Sequence, residues 1–436
     1  MRRLLPTFRD MNRIILLAWA VCFCAALSAQ STCEIEGLYS LSMWSQLGAD
    51  IDGEAAGDDS GSSVSLSADG SIVAIGARRN DGIGSNDAGH VRIYGWGGTS
   101  WNQLGEDIDG EADDDRNGFS VSLSSDGSIV AIGAHRNDGN GDQAGHVRIY
   151  AWDGASWNQL GEDIDGEAAG DWLGHSVSLS SDGSTVAIGA SQNDSNGSNS
   201  GHVRIYAWEG ASWNQLGEDI DGEAAYDYSG FSVSLSSDGS TVAIGAPFND
   251  TDLGEQAAAG HVRIYAWDGA GWNQLGADID GEADFNLSGT SVSLSSDGST
   301  VAIGAHYNDG NGEYSGHARI YAWEGTSWNQ LGADIDGEAT WDSSGISVSL
   351  SSDGSTVAIG APFNYGNGEN AGHVRVHAWD GASWNQLGED IDGEAAGDIS
   401  GWSISLSSDG STVAIGAQYN EDNGTYSGHV RVYSYE

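Results

Sequence analysis

Hydrophobic and polar residues alternate along most of the chain, in short runs that end at glycine-rich turns. Residues 175–220 show the pattern well: "SVSLS" and "STVAIGA" flank an Asp-Gly turn, and "HVRIYAW" and "WNQLGEDI" follow after a loop and a short turn. Alternation with a period of two is typical of half-buried strands, and an Asp-Gly turn between two such runs predicts a hairpin. The segment therefore predicts a sheet of four antiparallel strands, without a helix.

The same unit recurs through the chain at an almost constant spacing. The sequence Gly-His-x-Arg begins at Gly89, Gly145, Gly201, Gly260, Gly316, Gly372 and Gly428, at intervals of 56 residues apart from one of 59. Periods of this kind indicate solenoids, propellers or arrays. In each second strand bulky Val and Ile point to one face and small residues to the other, as Val186 and Ala187 do. One sheet cannot bury both faces alone, so we expect identical sheets to pack on each other.

The two ends of the repeat distinguish a ring from an open stack. The last copy stops after its third strand, "GHVRVYSYE", whereas a fourth strand without partners, "WSQLGADIDGE", begins at Trp44. A ring lets this N-terminal strand complete the last sheet, whereas an open solenoid leaves unpaired edges. We predict an all-β fold over residues 43–436, a seven-bladed β-propeller with four antiparallel strands per blade, closed by the N-terminal strand.

The first residues have the composition of an export signal. A basic segment precedes the apolar run "IILLAWAVCFCAAL", and small residues follow up to Ala29. We predict a signal peptide at residues 1–29, a short segment at 30–42, and a secreted or cell-surface protein; the alternative, an uncleaved anchor, is disfavoured by the short apolar run. Cys22 and Cys24 lie in the signal, so only Cys33 is left and no intrachain disulfide is expected.

Charge limits the partners. The chain has 64 acidic residues against 15 basic ones, none of them Lys, and a formal net charge of −49. Such a surface repels phosphate backbones and anionic lipids. We therefore expect no nucleic-acid partner and no membrane insertion once the signal is removed, and we expect cations or cationic groups to be attracted.

One stretch resembles a known repeat. "YSGFSVSLSSDGSTVAIGAPFND", at Tyr228–Asp250, is similar to the FG-GAP repeat of the integrin α-subunit propeller: Gly230 stands before Phe231-Ser232, and the GAP triplet is literal at Gly245-Ala246-Pro247. The resemblance covers about residues 43–436 and implies an extracellular propeller used in recognition or adhesion. Integrin-type blades hold calcium between their first two strands, but the turn "SSDGST" has too few carboxylates for such a cage.

The residues that recur in all seven copies predict a structural role. His202 and Arg204 have a counterpart in each copy, and a group present in every blade serves what every blade shares. We expect Arg204 to pair with Asp residues of the "EDIDGE" segments and to tie strands or blades together, because a semi-buried charge persists when it is paired. No nucleophile elbow, zinc signature or phosphate loop occurs in the sequence, so no catalytic residue is assigned.

Two loops have acidic residues at a spacing that suits calcium. The candidate metal ligands are Asp138, Asn140, Asp142, Asp309, Asn311 and Glu313, and the "DIDGE" segment offers Asp163, Asp165 and Glu167 as a further oxygen set. The distal Glu that makes an EF-hand specific is absent, and Asp, Asn and Gly are ordinary turn residues. A turn is therefore the favoured interpretation, calcium is the alternative, and no other cofactor is expected.

Non-repeated aromatic residues predict a binding surface. The loops after "IGA" and before each first strand leave the same face of the ring, because alternate connections of an antiparallel sheet lie on one side. The candidate ligand-binding residues on them are Trp172, Tyr228, Phe248, Tyr307, Trp341, Phe363 and Trp402. Aromatic residues among acids suit sugars or peptides, and drift in unconstrained loops is the alternative.

These observations favour a binding or adhesion propeller that recognises an extracellular glycan or protein through one face. Two alternatives stay open: a polysaccharide lyase or glycosidase with a carboxylate pair on the variable face, and a purely structural surface protein. They differ in whether the non-repeated residues gather in one pocket, form a rim or scatter.

Overall fold

The fold was obtained as a computed structural model that describes residues 43–82, 86–250 and 258–436. The predicted signal peptide, the segment 30–42 and Cys33 lie outside the described residues. Every regular element in the described ranges is a β-strand, and the strands form seven separate sheets. Each sheet has four strands in sequential antiparallel order, plus a two-residue strand that also pairs with the third strand. The predicted all-β, seven-bladed propeller is confirmed.

The strands have nearly the same bounds in every blade. The first strands are Ser60–Leu66, Ser120–Leu123, Leu173–Leu179, Ser232–Leu235, Ser291–Leu294, Ser347–Leu350 and Ser403–Leu406. The second strands are Ile72–Ala77, Ile129–Ala134, Thr185–Ala190, Thr241–Ala246, Thr300–Ala305, Thr356–Ala361 and Thr412–Ala417. The third strands are His90–Trp96, His146–Trp152, His202–Trp208, His261–Trp267, His317–Trp323, His373–Trp379 and His429–Tyr435.

The outermost strands are short. The fourth strands are Trp101–Gln103, Trp157–Gln159, Trp213–Gln215, Trp272–Gln274, Trp328–Gln330, Trp384–Gln386 and, for blade seven, Trp44–Gln46. The two-residue fifth strands are Ile108–Asp109, Ile164–Asp165, Ile220–Asp221, Ile279–Asp280, Ile335–Asp336, Ile391–Asp392 and, for blade seven, Ile51–Asp52.

The fourth and fifth strands correspond to "WNQLGEDI", for which the sequence predicts one continuous strand. In blade three the break falls at Gly217, which has a φ of +83°. A Cβ atom at this position would lie 2.8 Å from the Trp267 ring of the next blade. The strand is therefore interrupted where the backbone turns beneath a neighbouring indole, and Ile220–Asp221 resumes the pairing.

The hairpin turn between the first two strands uses its only carboxylate internally. In blade two, Asp126 Oδ1 accepts hydrogen bonds from Ser128 N at 2.9 Å, Ser128 Oγ at 2.7 Å and Ser124 Oγ at 2.8 Å. The bond from Ser128 is the largest influence that lowers the pKa of Asp126. Gly127 follows at a φ of +69°, where a side chain would collide with Ile72. The turn is thus a closed hydrogen-bonded unit.

Hydrophobic residues pack between neighbouring blades. At the junction of blades three and four, Val203 and Ile205 of one third strand contact Val242 and Ile244 of the next second strand. The indole of Trp272 covers the outer end of this cluster, and its Nε1 donates to Leu216 O at 2.8 Å. Six similar clusters occupy the other junctions in the described ranges. Burial of both sheet faces is achieved by stacking, as the repeat requires.

The ring closes through the N-terminal strand. Trp44, Ser45 and Gln46 pair with the third strand of blade seven, and Ile51–Asp52 pairs with its opposite end. Ser403 Oγ in the first strand of blade seven donates to Gly61 O of blade one at 2.8 Å, and the corresponding serine bond links the other adjacent blades. The predicted closure is confirmed.

Candidate functional site

Two sets of loops meet on one side of the ring, which we call the top face: the loops between second and third strands, and the loops that lead into the first strand of the next blade. Trp172 N donates to Gln143 O at 3.3 Å and Leu173 N to Ala144 O at 3.0 Å, so the loops of adjacent blades contact each other. The bottom face carries the two short turns of each blade. The non-repeated residues of both loop sets therefore share the top face.

Repeated acids hold these loops. Asp171 is buried, and its Oδ2 accepts a hydrogen bond from Ala168 N at 2.9 Å. The next residue, Trp172, lies in the left-handed region with a φ of +58°, and Tyr228 occupies the equivalent place at +54°. Such a backbone is uncommon for a bulky residue and persists where surrounding bonds enforce it. The loop conformation is thus the same in each blade, while the displayed side chain differs.

Blades four to seven expose aromatic rings. We call the exposed set the aromatic arc: Tyr226, Phe248, Phe285, Tyr307, Trp341, Tyr365 and Tyr426. Apart from Met43, these are the exposed large hydrophobic side chains of the described residues, and all seven are on the top face. Tyr314 links two of them, with ring centroids 4.7 Å from Tyr307 and 4.7 Å from Trp341.

The predicted ligand-binding residues fall into three groups. Phe248, Tyr307 and Trp341 belong to the arc; Tyr228 and Phe363 are only partly exposed, and Tyr228 packs against Phe248 with centroids 5.1 Å apart. The third group, Trp172 and Trp402, lies outside the arc, and the two residues are described below. Four members of the arc are not among the candidate ligand-binding residues. Tyr226 and Phe285 precede a first strand, and Tyr365 and Tyr426 lie between a second and a third strand, so all four were visible as aromatic residues at non-repeated positions.

Trp402 lies at the mouth of the central channel. The channel contains a cavity of about 280 Å³ lined by the start of each first strand. Each blade contributes one variable residue to the top rim of this cavity. In the order of blades one to seven these residues are Ser62, Phe119, His175, Phe231, Thr290, Ile346 and Trp402. His175 packs between two of these, with centroids 5.1 Å from Phe119 and 4.7 Å from Phe231. The rim is thus a second non-repeated surface, which the sequence prediction did not separate from the loops.

Trp172 lies in a charged sector on blades one to three. Eleven arginines are in the described residues, and the four outside the repeated position are Arg78, Arg79, Arg116 and Arg136. The arginines share two carboxylates: Asp59 lies 3.3 Å from Arg78 and 3.4 Å from Arg79, and Asp114 lies 3.1 Å from Arg116 and 3.2 Å from Arg136.

The charged sector includes a contact between an arginine and Trp172, and one of its carboxylates is buried. The Arg136 guanidinium lies 5.7 Å from the Trp172 ring centroid. Desolvation raises the pKa of Asp59, and Arg78 and Arg79 oppose that rise. The sector is therefore an ion-paired cluster of both signs, unlike the aromatic arc.

The non-repeated histidines are packed rather than displayed. His306 is buried, and its Nδ1 lies 3.0 Å from Thr290 Oγ1. His175 Nδ1 lies 3.1 Å from Phe231 O. Desolvation lowers the pKa of each to about 4, so both are neutral at pH 7. His135 is also buried, and burial lowers its pKa well below the usual value.

The predicted calcium ligands make turn hydrogen bonds. Asp138 Oδ1 accepts from Gln143 N at 2.7 Å, and Asn140 Nδ2 donates to Gly166 O at 2.7 Å. Blade five repeats the arrangement, with Asp309 accepting from Tyr314 N at 2.8 Å and Asn311 donating to Gly337 O at 2.8 Å. Main-chain carbonyls of Asp142 and Glu313 accept bonds from the adjoining loop. These contacts fit the turn interpretation, and calcium at these residues stays a prediction.

The repeated arginine ties adjacent blades together. Arg204 Nη2 donates to the main-chain oxygen of Asp165, in the preceding blade, at 2.7 Å, and Nη1 lies 3.6 Å from Glu167 Oε1. The partners are thus a carbonyl and a Glu, where the sequence prediction had Asp side chains. The guanidinium also lies 5.6 Å from the Tyr206 ring centroid. Both Nη atoms of Arg204 thus have partners in the preceding blade, whereas its Nε has no hydrogen-bond partner.

Known proteins show the same architecture. The FG-GAP repeat family model matches residues 163–206, from the outer edge of blade two through the third strand of blade three. Residues 163–206 of this chain are thus similar to an FG-GAP repeat. The pattern of that FG-GAP repeat recurs in the other blades, so the resemblance predicted from Tyr228–Asp250 is confirmed for the fold.

A solved structure is similar over most of its length. Hydrazine synthase of Kuenenia stuttgartiensis matches 89% of this chain and 97% of that chain, with a TM-score of 0.56 and 13% sequence identity. An identity this low shows a shared fold alone. No curated protein sequence matches the chain. In the described ranges no helix is long and apolar enough to cross a bilayer.

Proposed function

We propose that this FG-GAP propeller is a non-catalytic extracellular binding module that recognises a glycan or a peptide through the aromatic arc. One observation carries the proposal: the exposed large aromatic rings of the described residues all lie on the top face of blades four to seven. Exposed apolar side chains that gather on one face are candidates for an interaction site, and within the arc Tyr314 joins the rings of Tyr307 and Trp341.

The side chains of the arc suit such ligands. Trp341 is 50% exposed and Tyr307 40% exposed, and Tyr314 packs between them. Aromatic faces stack on sugar C–H surfaces or on peptide side chains. Neighbouring acids of the same loops, such as Asp309 and Glu313, can accept hydrogen bonds from hydroxyl groups or pair with cationic groups. The arc therefore offers both apolar and polar recognition.

The framework beneath the arc lowers the cost of binding. The loops have equivalent backbones in different blades, held by buried acids such as Asp342, whose Oδ2 accepts from Ala339 N at 2.9 Å. A surface that is ordered before binding loses less conformational entropy on association. The extracellular location rests on the predicted signal peptide and on the typical setting of FG-GAP repeats.

The experiment is a glycan and peptide array probed with the purified chain, with and without calcium, followed by affinity measurement on the strongest ligand. Trp341→Ala should weaken binding by about 1–3 kcal/mol, because it removes an exposed aromatic anchor. Trp172→Ala is the matched control, since Trp172 lies in the charged sector. Equal losses in both variants, or none in Trp341→Ala, would contradict the assignment to the arc. Turnover abolished by one carboxylate substitution would favour the enzyme alternative.

A further inference from the structure

Each blade contains a buried histidine at the first position of its third strand. His202 is 0% exposed, and neither of its ring nitrogens has a hydrogen-bond partner. Nδ1 of His317 and both ring nitrogens of His429 are likewise unpartnered. Unsatisfied buried polar groups are rare in native proteins because each loses its hydrogen bonds to water without replacement. An Nδ1 atom left alone at the same place in three blades requires an explanation, such as a bound ion.

Two carboxylates face each of these histidines. His202 Nδ1 lies 3.7 Å from Asp219 Oδ2, and Glu167 of the preceding blade completes a group whose ligand atoms all lie within 4.8 Å of one another. In blade one, His90 Nδ1 lies 3.8 Å from Asp107 Oδ2 and 3.9 Å from Glu54 Oε2. These separations are too long for hydrogen bonds.

The carboxylates are oriented by their other oxygens. Gln103 Nε2 donates to Asp107 Oδ1 at 2.6 Å, and Arg92 Nη1 lies 3.6 Å from Glu54 Oε1. Each acid therefore has one oxygen engaged by a neighbour and turns the other toward His90. The Gln–Asp bond is present in all seven blades. Outer contacts that fix ligand orientation in this way are typical of metal sites.

The separations and charges suit a divalent metal ion. Bonds of about 2.0–2.1 Å at a tetrahedral angle place ligand atoms roughly 3.4 Å apart. The His–carboxylate distances of 3.7–3.9 Å are longer than this, and the ligand atoms of a cluster lie within 4.8 Å of one another, so a bound ion would draw the partly exposed carboxylates inward. Burial and the neighbouring Arg lower the pKa of His202 to about 4, so the ring is neutral at pH 7 and can act as a ligand. One neutral imidazole and two carboxylates carry two negative charges, of which the neighbouring Arg204 balances one, so the cluster keeps a negative charge that attracts a cation. Imidazole favours Zn²⁺-like ions over Mg²⁺ or Ca²⁺.

We propose that these His–Asp–Glu clusters bind divalent transition-metal ions of the Zn²⁺ type, one at each junction between adjacent blades. Each cluster takes His and Asp from one blade and Glu from the preceding blade, so a bound ion links the two blades directly. The site is open to solvent: beside His90 lies a cavity of about 350 Å³ that Glu54, Asp107 and Asp109 also line. A water molecule or an incoming ligand can complete the coordination. The sites are distinct from the loops that hold Asp138 and Asp309.

The test is a binding count on the full-length chain. After treatment with a chelator, the protein is titrated with ZnCl₂, and bound zinc is measured by elemental analysis after gel filtration. We expect about seven ions per chain, one for each copy of the repeat. His202→Gln, His261→Gln and His317→Gln combined should lower the count by three. The control, Asp309→Asn, should leave it unchanged, because Asp309 lies outside the clusters.

A second variant guards against misfolding. Asp219→Asn, Asp278→Asn and Asp334→Asn change partly exposed ligands, with side chains 26%, 31% and 31% exposed, and should also lower the count by three. Zinc should raise the melting temperature of the intact chain more than MgCl₂ or CaCl₂ at equal ionic strength. A folded variant that binds as much zinc as the intact chain, or equal shifts with all three salts, would overturn the proposal.

Discussion

The two faces of the ring are built by opposite ends of the same strands, yet they differ in how their side chains are used. On the bottom face the turns are nearly identical, and their backbones bond from blade to blade, as Ser125 N does to Ser181 O at 2.8 Å. On the top face the loops keep one backbone and vary the side chain, from Arg116 to Trp172 to Tyr228 at one position. Repetition thus keeps the turns of the bottom face alike, whereas variation on the top face changes the side chain that an unchanged backbone displays.

A repeated residue and a variable residue can be direct neighbours in one strand. Ser176 Oγ donates to Gly230 O of the next blade at 2.8 Å, as its counterparts do all around the ring. His175, one position earlier, belongs to the variable rim of the channel. Ser176 belongs to a hydrogen-bonded cycle that is the same in every blade, and His175 to a position whose residue varies among the blades. A function that depends on one site must therefore depend on positions such as 175 rather than 176.

The largest expected effect comes from breaking the framework at its closure. A chain that begins at Asp58 lacks Trp44–Gln46 and Ile51–Asp52, so the edge of blade seven and one side of its hydrophobic cluster become exposed. An unpaired edge is a template for association. We expect loss of most of the roughly 5–15 kcal/mol that stabilises a typical domain, or aggregation. Calorimetry and gel filtration test this, and a cooperative transition at the unchanged temperature would refute the closure argument.

A matched pair of tryptophans compares the two regions directly. Trp213 packs on Trp208 with centroids 5.4 Å apart, and its Nε1 donates to Leu160 O at 2.8 Å. Trp213→Ala should lower the free energy of unfolding by about 3 kcal/mol or more, because a packed indole and a junction bond are lost. Trp341→Ala should change it by less than about 0.5 kcal/mol, since Trp341 is half exposed. Urea unfolding of both variants gives the values, and similar losses would remove the distinction.

Acid should weaken the framework in the absence of metal. Burial, the largest cause, and the adjacent Arg204 lower the pKa of His202 to about 4, and Asp219 opposes this. The unfolded chain takes up a proton near pH 6.5, which the folded chain resists until about pH 4. Stability is therefore complete above pH 6.5 and falls as the pH decreases toward 4.

Scanning calorimetry with a chelator at pH 7 and pH 5 measures the effect. The combined His202→Gln, His261→Gln and His317→Gln variant should show a smaller decrease between the two pH values, because three of the responsible groups are absent. The raised pKa of Asp165 and of Asp221, caused mainly by desolvation, acts in the opposite direction and moderates the change. A melting temperature that is equal at pH 7 and pH 5 would show that the buried histidines do not control acid stability.

The smallest expected effect concerns the net negative charge of the whole chain. With a formal net charge of −49, the folded chain repels itself, and salt screens this over about 8–10 Å near physiological ionic strength. The melting temperature should rise by a few degrees (~2–4 °C) from low to moderate NaCl. Calcium should add to this only if the loops at Asp138 and Asp309 bind it. Equal responses to CaCl₂ and MgCl₂ would leave screening as the whole effect.

The sequence by itself determined the architecture. Alternation with a period of two fixed the strands, the Asp-Gly turns fixed the hairpins, and the position of "WSQLGADIDGE" near Trp44 fixed the ring closure. These features are local or repeated, and seven copies make each of them unambiguous. The common face of the variable loops also followed from strand direction alone. The sequence could not fix the interruption at Gly217, because it depends on an indole of the next blade.

Only the tertiary structure decided how the non-repeated residues group. Trp172, Trp341 and Trp402 stand at three different positions of the repeat, but only the structure shows that they lie in the charged sector, in the aromatic arc and on the channel rim. The His–Asp–Glu clusters were hidden for the same reason, since Glu167 and His202 come from adjacent blades. The alternation of hydrophobic and polar residues predicts which face of a sheet a side chain lies on. The side chains that it contacts in the next blade depend on how the two sheets stack. Which residues of adjacent blades come close together is therefore decided only when the ring is closed.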